Sequence, residues 1–292
     1  MILLPNITLS PSRVDQLLVW ILQGLAAFAG ILVLLIVGFL MLEAFPAVRQ
    51  IGFLSFFSDA SWHPVEGFYN VMAMVWGSLL AMLGAVLLAT PLGICSAVFC
   101  HFYAPTWFVE PYRKLIELLA GIPSVVYGLW GLVVLVPLIG QLHPPGPSLL
   151  AGISILTIMI LPTIALMADA SLAKVPSVYL RGAIALGLSR WTTIRCIIIP
   201  AATSGLSTGI ILGIGRAIGE TMAMLMVCGN VVQVPTNLFD PMRTLTANIA
   251  LEMAYAVEDH RAALFFTGFL LLGVVIVMVL AVDYIKQRHT YA

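Results

Sequence analysis

Charge is scarce in this chain. Thirteen Lys and Arg are matched by thirteen Asp and Glu among 292 residues, 9% in all, where a soluble globular domain carries roughly 25%. With net charge zero there is no basic excess to suit nucleic acid. Cysteine is also sparse: Cys95, Cys100, Cys196 and Cys228 show neither metal-ligand spacing nor a disulfide framework, and read as ordinary reduced residues. His101, His143 and His289 have no partners at ligand spacing, so no metal site is expected. A phosphate loop of the form G-x-x-x-x-G-K-[ST] is missing, so any nucleotide hydrolysis must come from another polypeptide. No convergent set of nucleophile, base and metal ligands is visible, which puts a membrane enzyme last among the readings.

Apolar sequence is abundant instead. Hydrophobic residues make up 61% and mean hydropathy is +1.09. No water-soluble fold hides that much apolar surface, because surface falls too slowly with size; the solvent must be lipid. A membrane helix needs about 20 mostly apolar residues. The chain offers six such stretches: Leu17–Leu42, Val71–Phe102, Leu118–Ile139, Leu149–Ala168, Ala202–Val227 and Ala262–Val282. The uncharged run from Gln16 to Leu42 exceeds a signal-peptide core of about 7–15 residues, so the first stretch reads as a retained helix. The second to fifth carry many glycines and are interrupted by Pro91, Pro123, Pro137 and Pro162. Such breaks survive in lipid only where protein or water satisfies the freed backbone groups. The expected fold is therefore all-α and integral to the membrane. Residues 1–42 form the first helix with its lead-in, 43–70 an outer interfacial loop, 71–230 the working bundle, 231–261 a second outer loop, and 262–292 the last helix and tail.

Orientation follows from Lys and Arg. With both termini in the cytoplasm, nine cations fall inside: Arg13, Arg113, Lys114, Lys174, Arg181, Arg190, Arg195, Lys286 and Arg288. Three, Arg49, Arg243 and Arg261, fall outside. The outer loops hold Glu43, Asp59, Glu66, Asp240, Glu252, Glu258 and Asp259, an acidic face. Phe53, Phe56, Phe57 and Trp62 suggest a segment lying along the interface.

The longest inner connection, 174–200, is too long for a simple joint. Pro176-Ser177 can start a helix, Gly187 can end it, and a second short helical pattern runs from Ser189 to Ile199. Composition leaves two readings open: a docking surface for a cytoplasmic partner, or an interfacial helix resting on anionic lipid. Within it, Gly182-Ala183, Gly187 and Ile197-Ile198-Ile199-Pro200 resemble the EAA loop of ABC-importer permeases, with Arg181 where that family has Glu. The resemblance implies a type I importer bundle whose loop couples to a separate ATPase dimer, with ATP and Mg bound there and no cofactor here. Two longer runs, Ile116-Glu117-Leu118-Leu119-Ala120-Gly121-Ile122-Pro123-Ser124-Val125-Val126-Tyr127-Gly128 and Gly215-Arg216-Ala217-Ile218-Gly219-Glu220-Thr221-Met222-Ala223, resemble phosphate-transport permeases of the Pst system, of the PstC type. That resemblance implies a bacterial inner-membrane, multi-pass, non-catalytic subunit. It also implies a PstA-like sister permease, a periplasmic or extracellular phosphate-binding protein, and alternating access driven by ATP. Permeases for molybdate, sulfate or phosphonate, and an ion-driven secondary carrier, are the rival readings.

Individual residues carry the chemistry. Arg216 lies roughly 20 Å along the fifth stretch at 1.5 Å per residue. An arginine at a helix centre costs about 2.5–3.5 kcal/mol and usually faces a cavity or bundle interior. Its planar fork donates paired hydrogen bonds to oxyanions. Glu220, four residues on, lies on the same face of a continuous helix and can hold Arg216 when no anion is present. The alternative is a purely structural ion pair. Gly205, Gly209, Gly213, Gly215 and Gly219 recur at close-packing intervals. Glu117 is either a surface pair for Arg113 or Lys114 or, by resemblance, an inner-gate or subunit contact. Pro123 reads as a kink that can double as a hinge.

Overall fold

The computed structural model describes residues 13–290; the side chains of Arg13, Lys286, Arg288 and His289 lie outside the described ones. The first helix, α1 (Arg13–Ala47), leads through a π-turn at Val48–Gly52 into a four-residue helix, α2 (Ser55–Ser58). A two-stranded hairpin follows, β1 (Trp62–His63) antiparallel to β2 (Phe68–Tyr69), with Trp62 opposite Tyr69. The second span is α3 (Met72–Phe102). It is followed by α4 (Thr106–Gly121), an amphipathic helix that is not a span. The third span is built from α5 (Ser124–Trp130), a π-turn and α6 (Val136–Leu142), and the fourth is α7 (Leu149–Ala173). Next come α8 (Ser177–Ala185) and α9 (Arg190–Thr193), which runs through a π-turn into α10 (Ile199–Ile218). Short helices α11 (Met222–Val227) and α12 (Leu245–Glu252) precede the last span, α13 (Glu258–Thr290). Among the described residues six helices are long and apolar enough to cross a membrane, the number expected.

Around α7 the bundle is organised. Its most apolar window is 67% buried, against 0% for that of α1, so α7 is the axis and α1 lies outside. Glycines permit the closest approaches. A Cβ at Gly84 would meet Ile153, and one at Gly93 would meet Ile164 and the backbone of Ala165, so α3 and α7 run side by side in the same direction. Ser148 caps α7 by accepting the N–H of Ala151 at 3.3 Å, satisfying one orphan donor of the first turn.

Two expected spans are redrawn. The third begins at Ser124, not Leu118, because Pro123 adopts an extended backbone at the N-cap of α5. Proline disfavours helical geometry in the residue before it and lacks the N–H to continue a helix. Pro123 is thus a break between helices, not a kink within one. The fifth starts at Arg190, so the helical pattern at Ser189–Ile199 continues into the span; it ends at Ile218, short of Val227. Pro137 and Pro200 are each preceded by a π-turn, Gly131–Leu135 and Ile194–Ile198. The wider turn moves the carbonyl four residues back away from the proline ring, so the helix continues.

The first interhelical loop is more buried than expected. Phe56 is fully enclosed and stacks on Phe266 at 4.0 Å, and Trp62 is also buried. Both join a satellite core with Tyr69, Met74 and Leu264, so this loop caps the hairpin end of the bundle, with Phe53 and Leu54 left exposed. Its acids serve internal bonds as well: Asp59 accepts the N–H of Tyr69 at 2.9 Å. In the second outer loop, Asp240 accepts from the backbones of Asn237 and Thr236 and from the Thr236 hydroxyl, which holds its carboxyl below the usual range.

Candidate functional site

Arg216 sits in the last turn of α10, where it crosses the middle of α7. Its Nη1 donates to Thr163 Oγ1 at 3.3 Å, and Thr163 is 14 residues from the start of α7 and ten from its end. At 1.5 Å per residue the guanidinium lies near mid-depth. It is half-buried, and among the described residues no carboxylate lies within ion-pair distance. The expected pair with Glu220 is not formed. That pairing needs an unbroken helix, and the helix stops at Gly219. Glu220 Oε1 instead accepts the N–H of Ala223 at 3.1 Å, because the first N–H groups of α11 have no intrahelical acceptor and favour a negative charge. The Glu220 carbonyl accepts the Thr246 hydroxyl at 2.8 Å.

The glycines divide between two faces. Gly205, Gly209 and Gly213 press on α7, where a Cβ would meet Ser171, Met167 at 2.8 Å and Ile164 at 3.1 Å. Gly215 and Gly219 do not pack this way: a Cβ at Gly215 meets nothing and one at Gly219 meets only the Gly215 carbonyl. Both are exposed beside Arg216, on an open face of the chain.

At the other end, α8 projects from the bundle. Val178, Tyr179, Ile184 and Leu186 are exposed on it or just after it, and Trp191 on α9 joins them. Ala183 alone in α8 is buried. Gly182 meets nothing, and Gly187 makes the turn with φ of 69°, a conformation natural to glycine. Arg181 is exposed, and no ion pair holds it among the described residues. Pro200 enters the α10 helix as described. Glu117 is exposed on α4 and pairs with neither Arg113 nor Lys114. Lys114 meets Glu110 at 2.9 Å, and Arg113 is taken by Asp169 at 2.9 Å. Asp169 also meets His101 at 2.9 Å, so α3, α4 and α7 are tied together at this end.

Several of these contacts have no signal in the sequence. Glu252, almost buried, accepts from Trp62 Nε1 at 2.8 Å, from Arg243 at 2.7 Å and from His260 at 2.9 Å. Its partner Trp62 is 190 residues away. Thr163 and Thr246 lie 53 and 26 residues from the groups they bind. No periodicity links positions so far apart.

Residues 89–291 match the family described as "Binding-protein-dependent transport system inner membrane component". The chain is 38% identical over 269 residues to the probable ABC transporter permease protein YqgH of Bacillus subtilis, covering 89% of this chain and 86% of that one. It is 36% identical over 286 residues to the phosphate transport system permease protein PstC of Mesorhizobium japonicum, covering 89% and 87%. Among solved structures, a bacterial ABC transporter involved in import of the acidic polysaccharide alginate shares the fold with a TM-score of 0.65, at 15% identity over 92% of this chain and 96% of that one. The MetNI methionine ABC transporter gives 0.57, at 18% identity over 75% and 94%. With six spans among the described residues, one of them a glycine-packed axis, and an exposed helix–turn between the fourth and fifth, this chain belongs to the binding-protein-dependent transport system inner membrane components, as a PstC-type ABC permease subunit.

Proposed function

We propose that this chain forms half of the translocation path of a phosphate importer, with Arg216 as the anion contact at mid-depth. The observation that carries the reading is a half-buried guanidinium with a threonine hydroxyl and, among the described residues, no carboxylate as its partner. An unpaired cation at that depth is costly and is offset when an oxyanion accepts its fork. The face bearing Gly215, Gly219 and Arg216 then meets a PstA-like sister permease, and the path runs between them.

In this reading α8 lies in the cytoplasm, where a dimer of ATPase subunits binds ATP and Mg. The hairpin end faces outward, towards a phosphate-binding protein, and both termini are cytoplasmic. The chain carries out no covalent chemistry; it moves as the ATPases close and open. Arg216→Ala is expected to reduce phosphate uptake by at least tenfold, the loss of a charged hydrogen bond worth about 1.5–3 kcal/mol, while the complex still assembles. Uptake of radiolabelled phosphate by the reconstituted importer, with assembly checked by co-purification, measures it. Normal uptake by a correctly assembled variant overturns the proposal.

A further inference from the structure

We infer that the Thr246 hydroxyl is a positioning group that holds Glu220 away from Arg216, and so keeps the guanidinium open to an anion. The inference rests on the pathway role proposed for Arg216. Glu220 has two tethers at the break between α10 and α11. Its carboxylate receives the N–H of Ala223 at 3.1 Å, and its carbonyl receives the Thr246 hydroxyl at 2.8 Å. Arg216 and Glu220 are four residues apart, the spacing at which a continuous helix brings the two charges together. The break is therefore what separates them.

Thr246 is itself fixed. It is buried, its hydroxyl lies 3.1 Å from that of Thr244, and the N–H of Leu245 donates to Ser78 Oγ on α3 at 2.9 Å. Arg243, three residues earlier, is bonded to Glu252, Asn248 and the Asn230 carbonyl. Through Glu252 the same network reaches Trp62 on the hairpin and His260 on the last span. Thr246 is thus a post set in the rigid cap, and its bond ties the break in the fifth span to that cap. Without this hydroxyl, residues 219–221 lose their external tether and can resume the helical path. The Glu220 carboxylate then reaches Arg216 and competes with the anion for one guanidinium fork. Movement of the cap would act on the same bond, giving the hairpin end a direct hold on the anion contact.

The test is uptake by the complete reconstituted importer, with saturating phosphate-loaded binding protein. Thr246→Val, which keeps the shape and removes the donor, is expected to lower uptake about fivefold or more when residue 220 is Glu. Thr246→Ser, which keeps the hydroxyl, retains the unsubstituted rate. With Glu220→Gln as background, Thr246→Val has no further effect, because the competing charge is gone. An equal loss in both backgrounds, or no loss in either, overturns the inference. Arg216→Ala in the same assay separates the two claims: if it leaves uptake intact, the pathway reading falls and this inference with it. If it abolishes uptake while the Thr246 effect ignores residue 220, this inference alone falls. Should the valine complex not assemble, Thr246→Ala in both backgrounds makes the same comparison.

Discussion

At the scale of single residues, what counts is where each charge finds its counterpart. Arg216 and Glu220 illustrate a local rule overridden by a local break. Their spacing favours a pair, yet Gly219 ends the helix and an orphan N–H claims the carboxylate. Glu252 shows the converse: an acid placed on the outer face by charge count is almost enclosed and holds Trp62, Arg243 and His260. Removing one member of a buried ion pair leaves the other without a counter-charge. Glu252→Ala is therefore expected to destabilise the chain by about 3 kcal/mol or more. Thermal unfolding of the purified complex, followed by tryptophan fluorescence, measures it; a midpoint equal to that of the unsubstituted protein contradicts the network's structural role.

Among the elements, α8 and α4 behave differently from the spans that flank them. Both sit at the same end and both expose apolar residues, but α4 is tied down by Arg113–Asp169 and Tyr112–Ser96 contacts. In α8 only Ala183 is buried. A helix that exposes Val178, Tyr179 and Ile184 beside Arg181, which no ion pair holds among the described residues, suits a partner with an apolar groove and an anionic rim. Ile184→Asp is expected to weaken ATPase binding by about 2 kcal/mol or more, as for loss of a central interface contact. The ratio of ATPase to permease after co-purification reads the effect. An unchanged ratio, with altered binding of the complex to anionic vesicles, would assign α8 to the lipid surface instead.

For the whole molecule, the proposed path between two permeases rests on one open face. The α3–α7–α10 packing is dense, sealed by glycines that admit no side chain. The face with Gly215, Gly219 and Arg216 is left open. A partner that binds the folded chain and not the unfolded one stabilises it by mass action. The chain co-purified with the proposed sister permease is thus expected to unfold several degrees higher than the chain alone in the same detergent. Equal midpoints would mean that this face contributes nothing to association.

Composition by itself determined that the chain lives in lipid, and the lengths of its apolar runs determined six spans. Both properties are sums along the sequence, which neighbours in space do not alter. Motif spacing also marked the exposed helix–turn after the fourth span, because glycine and proline punctuate a backbone locally. Only the tertiary structure decided that Pro123 separates two helices, that the fifth span stops at Ile218, and that Phe56 and Trp62 are buried. It alone decided which polar group holds which, since Asp169, Glu252 and Thr246 take partners 26 to 190 residues away. Such pairings depend on which helix faces fold together, and a one-dimensional pattern carries no record of that.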